Sequence, residues 1–74
     1  MNELKLIGKT LVNLRGETTR ERVAKDLGIS LSALCAYEDG KRLPRDEVKI
    51  KISEYYGIPG EEIFCRKIAH IVKK

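Results

Sequence analysis

Arg20 on one side and Lys41, Arg42 and Arg45 on the other bracket a segment, LSALCA from Leu31 to Ala36, in which no side chain is charged. Cations placed this way neutralise phosphates on the two sides of a groove, and short side chains between them let a backbone come close to what the groove contains. Taken singly, each of these charges is an ordinary solvated residue; their placement around one segment is the signal. Other chemistry is thinly provided. Cys35 and Cys65 stand far apart without a CxxC, the sole histidine, His70, has no carboxylate or cysteine at ligand spacing, and no phosphate-cradling glycine loop exists. An enzyme, a metal site, a cofactor and a small-molecule ligand are therefore not expected. Most lone cysteines are small packing residues, although Cys35 at an exposed contact surface would be open to oxidation.

The chain has 74 residues, 42% of them apolar and 35% charged, with a formal net charge of +4 and a pI near 9.2. That size allows one domain with a thin core. The charge admits an anionic partner such as nucleic acid but also serves plain solubility. No apolar run approaches the roughly 20 residues of a membrane span, and the first residues do not resemble a secretory signal. With no disulfide framework, the expectation is a cytoplasmic protein without a membrane partner.

The elements that must position the bracketed segment follow from periodicity and caps. Leu4, Ile7, Leu11 and Leu14 line one face of an opening helix that Gly16 stops. Thr18 and Glu21 have capping-box spacing for a second helix, with Thr19 a rival cap, and Gly28 supplies its left-handed stop. Val23, Ala24 and Leu27 face inward on it. Ser30 caps a third helix, with Ile29 and Leu34 at hydrophobic-staple positions. Two short helices joined by about three residues must cross steeply, the geometry of a helix-turn-helix unit. On the third helix, Leu34 and Tyr37 point one way and Ser32, Cys35, Ala36 and Asp39 the other, with Leu31 and Ala33 on the flanks. A face needing only water would carry Lys, Glu or Gln; this one is small and lightly polar, suited to contact, unless the C-terminal segment buries Cys35 and Ala36. The segment VKIKIS fits strand alternation as well as a helix, but Val48, Ile52 and Tyr55 keep helical spacing, Gly57 stops it and no strand is at hand to pair with. Ile50 then points away from that stripe. After Pro59, Ile63, Phe64, Ile68, Ile71 and Val72 either continue one amphipathic helix or form a short helix followed by a tail.

These residues resemble the lambda-repressor-like helix-turn-helix family, the Cro/CI or XRE type of DNA-binding domain, over Leu4 to Phe64. The resemblance is carried by "LR", "TTRERVAKDLGIS", "YEDGKRLP" and "YYGIPGEEIF", in order and at near-family spacing. It implies an all-α fold of five helices with the helix-turn-helix at the second and third, and the third in the major groove of DNA. The division it implies is a DNA-binding domain over 1–64 and a C-terminal tail or helix extension over 65–74. By the same resemblance Leu31, Ser32, Cys35 and Ala36 face bases, and Thr19, Arg20, Lys41, Arg42 and Arg45 hold phosphates. Arg15 and Glu38 form a pair tying the first helix to the third, worth about a kcal/mol if exposed. Arg20 stands where the family usually has glutamine. The link between the first two helices is about two residues shorter than in the family. The base-facing positions lack Gln, Asn and Arg, so Ser32 can exchange one hydrogen bond while Leu31 and Ala36 meet only thymine methyls, which shifts specificity toward DNA shape. Pro59 and Gly60 replace the usual cap and helix former before the last helix.

The function so implied is a sequence-specific, double-stranded-DNA-binding transcriptional regulator, a repressor of phage or mobile-element type acting as a homodimer. Candidate dimer contacts are Ile50, Phe64, Ile68, Ile71 and Val72; the competing placement of Phe64 is the intrachain core. The rival function is an antitoxin or protein-binding adaptor using the same fold.

Overall fold

The computed structural model describes residues 3–64. They form five helices: α1 (Glu3–Arg15), α2 (Arg20–Leu27), α3 (Leu31–Glu38), α4 (Asp46–Tyr56) and α5 (Gly60–Phe64). Among the described residues there is no strand, so the ambiguous VKIKIS segment is helical, within α4. Ile68, Ile71, Val72 and His70, with the alternatives for the chain after Phe64, lie outside the described residues.

Caps set the boundaries. The β-region backbone of Thr19 lets its Oγ1 accept the Arg22 N–H at 3.1 Å, so Thr19 and not Thr18 caps α2. Placing the cap one residue later leaves Glu21 in the first turn, where its charge suits the helix dipole, rather than in a capping box. Gly28, at φ 74°, ends α2, and Ser30 Oγ accepts the Ala33 N–H at 3.0 Å to begin α3. Only Gly28, Ile29 and Ser30 therefore separate α2 from α3. Past α4, Ser53 Oγ donates to the Ile58 carbonyl at 2.7 Å, closing the turn that delivers α5, which starts at Gly60 directly after Pro59.

Every helix contributes to one core. Ile7 and Leu11 come from α1, Val23, Ala24 and Leu27 from α2, Leu34 and Tyr37 from α3, and the fully buried Ile52 and Ile63 from α4 and α5. Burying side chains like the two isoleucines is worth roughly 1.5–3 kcal/mol each. Leu14, Ile29 and Val48 pack at its margin. The expected α4 stripe needs one correction: Tyr56, not Tyr55, packs on the core. Tyr55 is 39% exposed and donates from its hydroxyl to Asp26 Oδ2 at 2.7 Å, which ties α4 to α2 from outside. The offset of four from Ile52 to Tyr56 follows the helical repeat as well as the offset of three does.

The closest packing is between α1 and α3, and it is made by two glycines. A Cβ on Gly8 would collide with the Glu38 carbonyl oxygen. Gly40, just past α3 at φ 75°, lies against the α1 backbone, where a Cβ would stand 2.8 Å from Lys5 Cα. Neither site has room for a side chain. With α1 this near, Arg15 at its end reaches Glu38: Arg15 Nε donates to Glu38 Oε2 at 2.8 Å and Arg15 Nη1 to the Thr18 carbonyl at 2.8 Å. The Glu38 side chain has no exposed surface, and its other oxygen accepts from Arg20 Nε at 2.9 Å. The expected Arg15–Glu38 pair is thus present but is neither exposed nor a pair; it is a bridge from α1 through α3 to α2.

Four outcomes test this packing. Gly8→Ala lowers stability by about 1–3 kcal/mol through overpacking, which for a domain of this size is roughly 4–8 °C of Tm per kcal/mol. Gly16→Ala, with open space around its Cβ, carries only backbone strain from its φ of 58° and costs less in the same melt. Glu38→Gln, which leaves a buried amide among donors, costs about 1–3 kcal/mol in chemical denaturation. Finally, burial, aided by the nearby Glu38 carboxylate, pushes the Tyr56 phenol up to about 12 from an ordinary 10.0. A raised native pKa stabilises below the unfolded value and is lost as pH rises through the native one, so stability falls between about pH 10 and 12, and Tyr56→Phe flattens that fall.

Candidate nucleic-acid interface

Leu31, Ser32, Cys35, Ala36, Asp39 and Lys41 line a shallow groove of about 380 Å³ on the outer side of α3. The four residues expected to face bases all belong to it. Leu31 and Ser32 are exposed and Cys35 and Ala36 half-buried, while Leu34 and Tyr37 on the opposite side are in the core. The contrast between faces follows from the staple: Ile29 and Leu34 pin one side of α3 inward, which turns Ser32 and Ala36 outward.

Two of the cationic residues, Arg20 and Lys41, border this groove. On the α2 side, Arg20 Nη1 lies 3.6 Å from Cys35 Sγ, so its guanidinium borders the groove. Thr19 Oγ1 accepts as the α2 cap, which leaves the hydroxyl hydrogen able to donate. On the far side, Lys41 lines the groove itself, and the loop behind it is fixed to α3 because the Lys41 and Arg42 N–H groups both reach the Ala36 carbonyl, at 2.9 and 3.4 Å. Lys41, Arg42 and Arg45 are exposed. Pro44 in the same loop is buried and anchors it, and Arg45 opens α4 with its side chain uninvolved in capping.

Two features of the site are beyond what the sequence analysis assigned. Arg20, expected as a phosphate contact, is committed through Nε to Glu38, and the hydrogen bond to that carboxylate raises its pKa further from neutrality. Asp39 places a carboxylate in the groove; next to Lys41 it can accept from a cytosine amino group and repels a phosphate that strays onto it. The alternation of polarity on the helical wheel did show Asp39 outward, but nothing local distinguishes a groove carboxylate from a solvated one. Of the dimer candidates within the described residues, Ile50 is 59% exposed, whereas Phe64 packs at the margin of the core beneath the Lys49 ammonium, 5.7 Å from its ring centroid. Among the described residues no group of three or more His, Cys, Asp and Glu is placed to hold a metal, and no helix is long and apolar enough to cross a membrane.

Comparison with known proteins bears on the family of the fold. Residues 6–63 match the family described as helix-turn-helix domain. Over 46 residues the chain is 39% identical to an uncharacterised HTH-type transcriptional regulator of Methanocaldococcus jannaschii, an alignment spanning 62% of this chain and 70% of that relative. No solved structure matches the chain. With the family match covering α2, α3 and the turn between them, the chain belongs to the helix-turn-helix domain family.

Proposed function

We propose that this protein is a sequence-specific, double-stranded-DNA-binding transcriptional regulator, a repressor of phage or mobile-element type that acts as a homodimer. One observation carries the reading: the outward face of α3 is short-side-chained and bordered by Arg20 on one side and Lys41 on the other. Short side chains let the α3 backbone sink into a major groove, and the flanking cations meet the phosphates on either wall. Leu31, Ser32, Cys35 and Ala36 face the bases; Thr19, Arg20, Lys41, Arg42 and Arg45 contact the backbone. A relative with the name of a transcriptional regulator supports the same role. Two copies related by a twofold axis set their recognition helices about 34 Å apart on a palindromic operator. Blocking a promoter then requires no further chemistry. The exposed Ile50 is the described residue best suited to the dimer contact, with Ile68, Ile71 and Val72 as the further candidates.

One observation favours a second reading, an antitoxin or protein-binding adaptor. Leu31 is 41% exposed on a face that has no Gln, Asn or Arg to read bases, so an apolar protein partner suits it too.

Titration against random-sequence duplex at several salt concentrations separates the two. For the regulator, log affinity falls with log salt by about 0.9 per phosphate neutralised, and Arg42→Ala reduces that slope by about one. Ala36→Glu, which puts a carboxylate against the duplex, abolishes binding with the helical content intact. If both variants bind as the parent does, or the parent binds no duplex, the adaptor reading replaces this one. Sedimentation of a chain ending at Phe64 tests the dimer: a monomer is expected if residues 65–74 form the interface.

A further inference from the structure

The base-facing side of α3 has no donor fork of its own. Ser32 offers one hydroxyl, and Leu31, Cys35 and Ala36 offer no strong donor, so none makes a two-point hydrogen bond to DNA. A guanidinium that touches that face belongs to another helix. Arg20, the first residue of α2, has Nε on Glu38 Oε1 at 2.9 Å and Nη1 against Cys35 Sγ at 3.6 Å. These two contacts fix the plane of the guanidinium as well as its position. The clamp itself cannot swing, because the Glu38 side chain is wholly buried and its second oxygen is held by Arg15 Nε at 2.8 Å. Nevertheless the Arg20 side chain is 40% exposed, and the Nη side of its fork retains N–H groups that neither Glu38 nor Cys35 uses.

We propose that Glu38 is a positioning residue that holds Arg20 at the rim of the α3 groove, and that Arg20 thereby supplies the planar, two-point contact to the duplex that α3 lacks. The proposal rests on the DNA-binding reading above and adds a requirement to it: the contact needs a fork held in one plane, not just a positive charge. An unrestrained arginine loses rotamer freedom when it binds, whereas one already clamped has lost it in the free protein. Lysine at this position keeps the charge but has neither an Nε–H for Glu38 to orient nor paired donors to present. The partner is a pair of acceptors, either two oxygens of one phosphate or O6 and N7 of a guanine.

The test uses the full chain and a duplex that the parent protein selects from a random pool. Arg20→Lys is expected to weaken binding by about tenfold or more, the size of one bidentate contact, with the salt slope unchanged because the charge is retained. Glu38→Gln is expected to weaken it as well. In the Glu38→Gln background, Arg20→Lys then costs little more, since the fork is no longer held. A merely structural role for Glu38 does not produce that dependence on residue 20. If Glu38→Gln fails to fold, Arg20→Lys decides alone, because it leaves the Arg15–Glu38 contact in place. Parent-like binding by Arg20→Lys, or losses that multiply in the double variant, overturns the proposal. Repeating the selection with Arg20→Ala identifies the acceptor: one base pair losing its preference marks a guanine, and a uniform loss marks a phosphate. If the parent selects no duplex at all, the regulator reading fails; if it does and Arg20→Lys binds equally well, only this proposal fails.

Discussion

The arrangement depends on a carboxylate with no exposed surface. Glu38 ends α3 facing inward, and ionised it would pay several kcal/mol for leaving water were it not met on both oxygens by guanidinium Nε–H groups. The partners come from two different helices, so the requirement to satisfy one buried charge fixes the end of α1, the start of α2 and the end of α3 relative to one another. Exposed ion pairs contribute roughly 0–1 kcal/mol and specify little. A buried one with two directional partners penalises any arrangement that leaves an oxygen unmet. Its main effect is thus on geometry rather than on total stability.

That geometry is possible because α1 comes unusually close. Gly8 and Gly40 remove the side chains that would hold α1 and the end of α3 apart, and Arg15, with 15% of its side chain exposed, then spans the remaining gap. In a domain whose described core has nine buried apolar residues, the hydrophobic contribution is limited. Polar ties therefore take a larger share of the positioning. A second tie, Arg22 Nε to Asp26 Oδ2 at 3.0 Å and Tyr55 Oη to the same oxygen at 2.7 Å, joins α2 to α4 on the surface. Both ties converge on α2, the helix that crosses α3.

The division of labour on α3 has the same origin. Its inner side contributes Leu34, Tyr37 and Glu38 to core and bridge; its outer side, with Leu31, Ser32, Cys35 and Ala36, adds nothing to the buried core. Because Arg20 reaches Cys35 while serving Glu38, the bridge that orders the fold also sets a charge at the edge of the outer face. Fold and candidate interface share one network, so perturbing the inner carboxylate is felt outside.

Much of this was legible in the residues alone, because it depends on neighbours in the chain. Ser30 as a cap, Gly28 as a stop, the inward Leu34 and Tyr37 and the helical spacing within VKIKIS all rest on offsets of a few residues, where backbone geometry leaves few options. The choice of Thr19 over Thr18 and of Tyr56 over Tyr55 was not decidable there: both members of each pair satisfy the local rule, and only the direction of the neighbouring helix separates them. Nothing in the residues around Gly8 marks it as the place where α3 crosses α1. The resemblance implied Arg15 for Glu38, but Arg20 stands 18 residues from Glu38, and a long guanidinium can reach several acceptors or none. Which one it takes is set by where three helices meet, a distance in space on which sequence separation places no constraint.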